Sequence, residues 1–135
     1  MKNKELKHKK LRPNHQKLVA VKALLLLTLP VVAEQNVFEL RIKDHLFQPS
    51  VLYVPAGEKV KLLVLNQDPS PEEFESFSLN REKVILGLGK ATLFIGPLAP
   101  GQYQFFGEYN PDSAQGVLIA LPEAEWLQHK ANHAY

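Results

Sequence analysis

Six carboxylates carry most of the chemistry that this sequence could do. Glu72, Glu73 and Glu75 fall in the stretch PEEFES, Glu82 follows shortly, and Glu108 and Asp112 flank a Tyr-Asn-Pro turn downstream. Carboxylate oxygens are hard donors that suit Fe, Mn, Ca or Mg better than Cu(I). Glu73 and Glu75, two residues apart, project from one face if the stretch is extended. Like charges so placed repel, and either a bound cation or a basic side chain relieves the repulsion. Arg81 and Lys83 are near enough in sequence to neutralise Glu75 or Glu82 as ordinary ion pairs. Two readings therefore stand side by side. One is a carboxylate-held cation, with Glu73, Glu75 and Glu108 as first ligands and Asp112 and Glu82 behind them. The other is a structural salt-bridge network.

Imidazole and thiolate chemistry have less to draw on. His45 precedes Phe47-x-Pro49 and reads either as an exposed strand-end residue or as a ligand. His129 and His133 are four apart and share a face if the C-terminal segment is helical. Without a third ligand they suggest an adventitious Cu(II) or Ni(II) site or a solvated tail. The chain has no cysteine, which excludes thiol catalysis, zinc-thiolate sites and a thiolate copper ligand. No Ser-His-Asp order, phosphate loop or zinc motif supports hydrolysis or nucleotide chemistry.

The elements that must position these groups begin after a leader. Residues 1–22 carry seven lysines and one arginine against a single acid, Glu5, and the apolar run 23–29 follows. Its apolar core of about 10–15 residues is too short for an ordinary membrane helix. Val31-Val32-Ala33 completes the pattern of a signal peptide over 1–33, cleaved after Ala33, with an uncleaved anchor as the alternative. From Glu34 onward eight Lys and Arg face thirteen Asp and Glu, a formal charge of −5. The pI near 8.8 belongs to the whole chain, and an acidic exported body gives no nucleic-acid footprint.

That body, 34–122, reads as short strands bounded by Gly, Pro or Asn, followed by a tail or short helix over 123–135. VFELRIK alternates with the period of a half-buried strand. VLYV and KVKLLVLN flank the Pro55-Ala56-Gly57-Glu58 turn, and the second is apolar enough to be a central strand. QDPSPEE reads as a loop, FESFSL as a short strand, KATLFIG, QYQFFGEY and GVLIAL as further strands. Alternation puts Tyr103, Phe105 and Gly107 on one face, with Phe105 in the core, and Gln104, Phe106 and Glu108 on the other. Phe106 and Tyr109 could border an exposed patch suited to docking. Seven or eight such strands predict an all-β sandwich.

The order of these pieces resembles the cupredoxin-like domain of exported bacterial proteins, including the EfeO-type group. The resemblance rests on Phe47-x-Pro49, Pro55-Ala56-Gly57-Glu58, Asn66, Glu73-Phe74-Glu75-Ser76 and Glu82-Lys83. Downstream it continues through Pro100-Gly101-x-Tyr103-x-Phe105 and Gln115-Gly116. It implies a Greek-key sandwich whose upstream and downstream acidic loops meet at one end. It also implies that a copper-binding member would have cysteine at Gly107, histidine at Asn110, methionine near Ala114 or Gln115, and a second histidine at Glu72 or Glu73. With none of these present, a type 1 copper site is ruled out. The expectation is a periplasmic accessory protein of a metal-uptake system, iron first. It would act by holding iron or copper through carboxylates or by docking to a membrane iron permease or a periplasmic redox or metal-binding protein, peripheral to the membrane at most. The alternatives are a ferroxidase-like redox component and a metal-free interaction domain.

Overall fold

The computed structural model describes residues 36–133. The expected leader, 1–33, lies outside the described residues. Among the described residues no helix is long and apolar enough to cross a membrane.

Among the described residues nine strands and one helix follow in chain order: β1 (Val37–Lys43), β2 (Leu46–Gln48), β3 (Val51–Pro55), β4 (Val60–Asn66), β5 (Glu72–Ser76), β6 (Arg81–Ile85), β7 (Lys90–Ile95), β8 (Gly101–Gly107), β9 (Gln115–Leu121) and α1 (Glu123–His133). They form a four-stranded sheet, β2-β1-β4-β7, and a five-stranded sheet, β3-β9-β8-β5-β6. Two of the pairings, β1 with β4 and β3 with β9, are parallel. The turn after β3 does not make a hairpin. It carries the chain from one sheet to the other, held by N–H donations from Ala56 to the Leu121 carbonyl and from Gly57 to that of Leu98. β4 sits inside its sheet between β1 and β7, with Val60, Leu62, Val64 and Asn66 buried and the residues between them half-buried.

The inner faces meet around three aromatic rings. Phe105 lies 5.1 Å from Phe47 and 5.2 Å from Phe74, and Phe47 lies 6.1 Å from Phe74. The Phe105 ring lies across Gly116, its cross-strand partner, where a Cβ would come within 2.3 Å of the ring. Each fully buried side chain of this size contributes about 1.5–3 kcal/mol, so the core carries a domain that has no disulfide to help it.

Two local expectations change, and one left open is decided. Leu46–Gln48 forms β2, too brief between His45 and Pro49 to show a period. Glu72 and Glu73 lie on β5 and not in the preceding loop, because pairing with Ile85 and Val84 extends the strand back to them. The segment after Pro122 is a helix, with Glu123 and Glu125 in its first turn and Lys130 and His133 in its last, as the helix dipole favours. Trp126 packs 5.8 Å from Phe38, and His129 lies 4.5 Å from Tyr53.

Candidate functional site

The loops before β5 and after β8 meet at one end of the sandwich, fastened by buried polar side chains. Asn66 donates through Nδ2 to the carbonyls of Ser70, Ile85 and Leu86 and accepts the Asp68 N–H at Oδ1. The Asp68 carboxylate accepts the N–H groups of Asp44 and His45 at 2.8 and 2.9 Å. Both donors have left-handed backbone, φ 54° and 59°. The His45 N–H is the main cause that holds the Asp68 carboxyl below its ordinary pKa, against the opposing effect of burial. His45 is thus a turn residue whose backbone is in use, while its ring remains half-exposed beside Asp68. The sequence flagged Asn66 and Asp68 only as strand-end and loop residues.

At the centre of this end is Glu72. Alternation along β5 sends Glu72, Phe74 and Ser76 inward, and Glu72 is 1% exposed. Its Oε1 accepts the N–H groups of Glu73 and Tyr109, each at 2.9 Å, and its Oε2 accepts Asn110 Nδ2 at 2.6 Å. Gly107 makes room for it. A Cβ at position 107 would stand 2.6 Å from Glu72 Cδ and 2.7 Å from the Ala114 Cβ. The loop closes on itself through Gly107 N–H to the Ala114 carbonyl and Ala114 N–H to the Asn110 carbonyl, both 2.8 Å.

Glu72, Gly107, Asn110 and Ala114 therefore gather at one point. Glu73 and Gln115, the neighbouring positions weighed from sequence, face away: Glu73 lies on the outer face of β5, and Gln115 donates to the Pro111 carbonyl. Copper is the group that the fold implies, and these residues do not fit it. They offer one carboxylate already committed to three donors, an amide nitrogen, and no thiolate or imidazole. Every buried side-chain polar atom among the described residues has its partner.

A second set of carboxylates lies on the outer face. One oxygen each from Glu73, Glu75 and Glu82 lies within 4.8 Å of the other two. Glu75 stands directly opposite Glu82 across β5 and β6, a pairing that is destabilising for like charges. Desolvation raises the Glu75 pKa first, and the charges of Glu82, Glu108 and Glu73 raise it further. Glu108 thus adds to the field without joining the three, and Asp112 lies exposed on the loop, outside the group. Partial burial, then Glu73 and Glu72, raises the Tyr109 phenol above its ordinary value.

The expected neutralisation by Arg81 and Lys83 is absent. Successive side chains on β6 alternate, so these two point to the opposite face from Glu82. Arg81 donates instead to the Phe94 and Asn80 carbonyls. The ion pairs among the described residues are Arg41–Glu39 and His45–Asp68. His129 and His133 stack nearly parallel at 4.3 Å, so their in-plane lone pairs do not converge as a chelate requires.

The sequence profile of the cupredoxin-like domain matches residues 7–120. An uncharacterized protein of Rickettsia prowazekii (strain Madrid E) is 39% identical over 92 residues, covering 67% of this chain and 74% of its own. Auracyanin A, a "blue" copper protein of the green thermophilic photosynthetic bacterium Chloroflexus aurantiacus, superposes with a TM-score of 0.56 at 15% identity, over 63% of this chain and 98% of its own. The metal-binding domain of the Streptococcus pneumoniae Cu(I)-exporting P-type ATPase does so with a TM-score of 0.56 at 11% identity, over 63% and 84%. At such identities the likeness is one of fold.

Proposed function

The chain belongs to the cupredoxin-like domain family, and from that premise we propose an exported accessory protein of a metal-uptake system, iron first, that works through its surface and not through interior copper. The observation that carries this reading is Glu72, a buried carboxylate satisfied by three donors at the point where copper ligands would converge. A metal at that point would have to compete with these donors for the same two oxygens.

The surface has two means of acting. Glu73, Glu75 and Glu82 present hard oxygens that no ion pair among the described residues engages, which suits iron or manganese better than Cu(I). The exposed aromatic groups beside them suit docking. The resemblance to the EfeO-type group supports iron as the metal and a membrane permease or periplasmic redox protein as the partner. The basic and apolar leader over 1–33 supports export.

Calorimetric titration of the purified protein with Fe(II), Fe(III), Mn(II) and Cu(II) tests the cation half. Binding of a hard cation, weakened about tenfold or more by Glu75→Gln and Glu82→Gln together, is expected. Binding no tighter than millimolar, unchanged in that variant, removes the cation half and leaves docking alone. Oxidation of Fe(II) above the buffer rate in the same samples would turn the reading toward a ferroxidase-like component.

A further inference from the structure

Phe77, the first residue of the turn after β5 and not the continuation of a strand through FESFSL, is 81% exposed. A single exposed phenylalanine needs no explanation, but this ring is held against another. It lies 5.6 Å from Phe106 on β8, with the planes 55° apart. Together with Ser78, Gln102 and Gln104 the two rings wall a shallow apolar niche. Phe77 also lines a second niche, bordered by Glu75, Asn80, Arg81 and Glu82, and is common to the two.

Arg81 borders the acidic niche, but its Nε and Nη1 donate to the Phe94 and Asn80 carbonyls, and neither ion pair among the described residues involves Glu75 or Glu82. The complementary occupant is a cationic side chain adjoining an apolar one. In an extended segment, residues i and i+2 point the same way about 6.5–7 Å apart, so one strand can present both side chains to one face. Arginine suits the acidic niche best, because its planar fork pairs with carboxylates and stacks on an aromatic face.

We propose that the outer face of β5, β6 and β8 docks an extended basic segment of a partner protein, seating an apolar side chain against Phe77 and Phe106 and an arginine against Glu75 and Glu82. This rests on the docking half of the function proposed above. It commits the face to a basic protein partner. An anionic lipid surface would be repelled by the same carboxylates.

The test is amide-resolved NMR on the full chain, titrated with Ac-Leu-Gln-Arg-NH2 and, as control, Ac-Leu-Gln-Glu-NH2. The arginine peptide should shift amides at Phe77, Glu82, Gln104 and Phe106, less strongly at raised salt, and the glutamate peptide should leave them unmoved. Phe77→Ser, an exposed change that keeps the dispersion of the folded spectrum, should weaken the response about tenfold, as should Glu75→Gln with Glu82→Gln. Equal response to both peptides, shifts elsewhere, binding to phosphatidylglycerol vesicles, or no shift in the millimolar range would overturn the proposal. Phe77→Ser also separates it from cation binding. A variant that still binds a hard cation but not the peptide supports both readings. An unchanged peptide response in that variant overturns the docking geometry and leaves the cation reading intact.

Discussion

Glu72 is a buried carboxyl group held by three N–H donors, and it can be probed at the level of single atoms. Glu72→Gln keeps the shape but turns one acceptor into a donor facing other donors. It should cost about 1–3 kcal/mol in chemical denaturation. Gly107→Ala places a Cβ 2.6 Å from Glu72 Cδ and should cost a similar ~1–3 kcal/mol by overpacking. Shortening Glu72 to Ala opens that space, so the pair of changes should be less than additive in a double-mutant cycle. Glu75 behaves in the opposite sense. Desolvation and the neighbouring Glu82, Glu108 and Glu73 raise its pKa, so the folded chain holds this proton more tightly than the unfolded one. That favours the native state at low pH, and the advantage is lost as pH rises through the folded value. Glu75→Gln should therefore raise the melting temperature at pH 7, with the gain fading toward pH 4, as thermal scans across that range will read.

Among the elements, the two polar fasteners of the loop end matter most. Asp68→Ala removes the acceptor for two backbone N–H groups, those of Asp44 and His45, and should destabilise by roughly 2–4 kcal/mol. Because the His45 N–H and its companions hold the Asp68 pKa down, its contribution is fully present above the unfolded pKa and is lost as pH falls through the lower folded value. The gap between wild type and Asp68→Asn should accordingly narrow in acid, measured by denaturation at pH 7 and below pH 3. Most strands were legible from period-two alternation and their Gly and Pro borders, and the two-sided burial of β4 from its run of Val and Leu. Extending the alternation of Phe74 and Ser76 back by two residues would have placed Glu72 inside, but the Pro and Glu before Phe74 look like loop. The roles of Asn66 and Asp68 were not legible, because Asn66 bonds Ile85 and Leu86 and Asp68 bonds Asp44 and His45, all about twenty residues away. Arg81 and Lys83 show the limit of nearness in sequence: one residue's step along a strand turned them from their expected partners.

In the whole molecule, β9 closes the larger sheet between β3 and β8, whereas α1 adds no fully buried residue. A chain ended after Pro122 should keep its β-sheet circular dichroism and lose only about 1–2 kcal/mol, from the partial burial of Trp126. One ended after Ala114 leaves β3 and β8 without their shared neighbour and should not fold cooperatively. The same contrast explains why the segment after Pro122 was open to two readings while GVLIAL was not: a helix that only leans on Phe38 and Tyr53 leaves a weak apolar pattern.

The carboxylate tucked against Gly107 also bears on how the protein comes into being. An ion must be supplied, can be lost, and can be replaced by a better-binding competitor, so a loop shaped by an ion exists in loaded and empty forms. A side chain delivered by the ribosome arrives with every copy. On the function proposed above, shaping this loop calls for folding alone, with no ion to insert or to exchange. Refolding in a chelator should give the same yield and the same native loop as refolding without one.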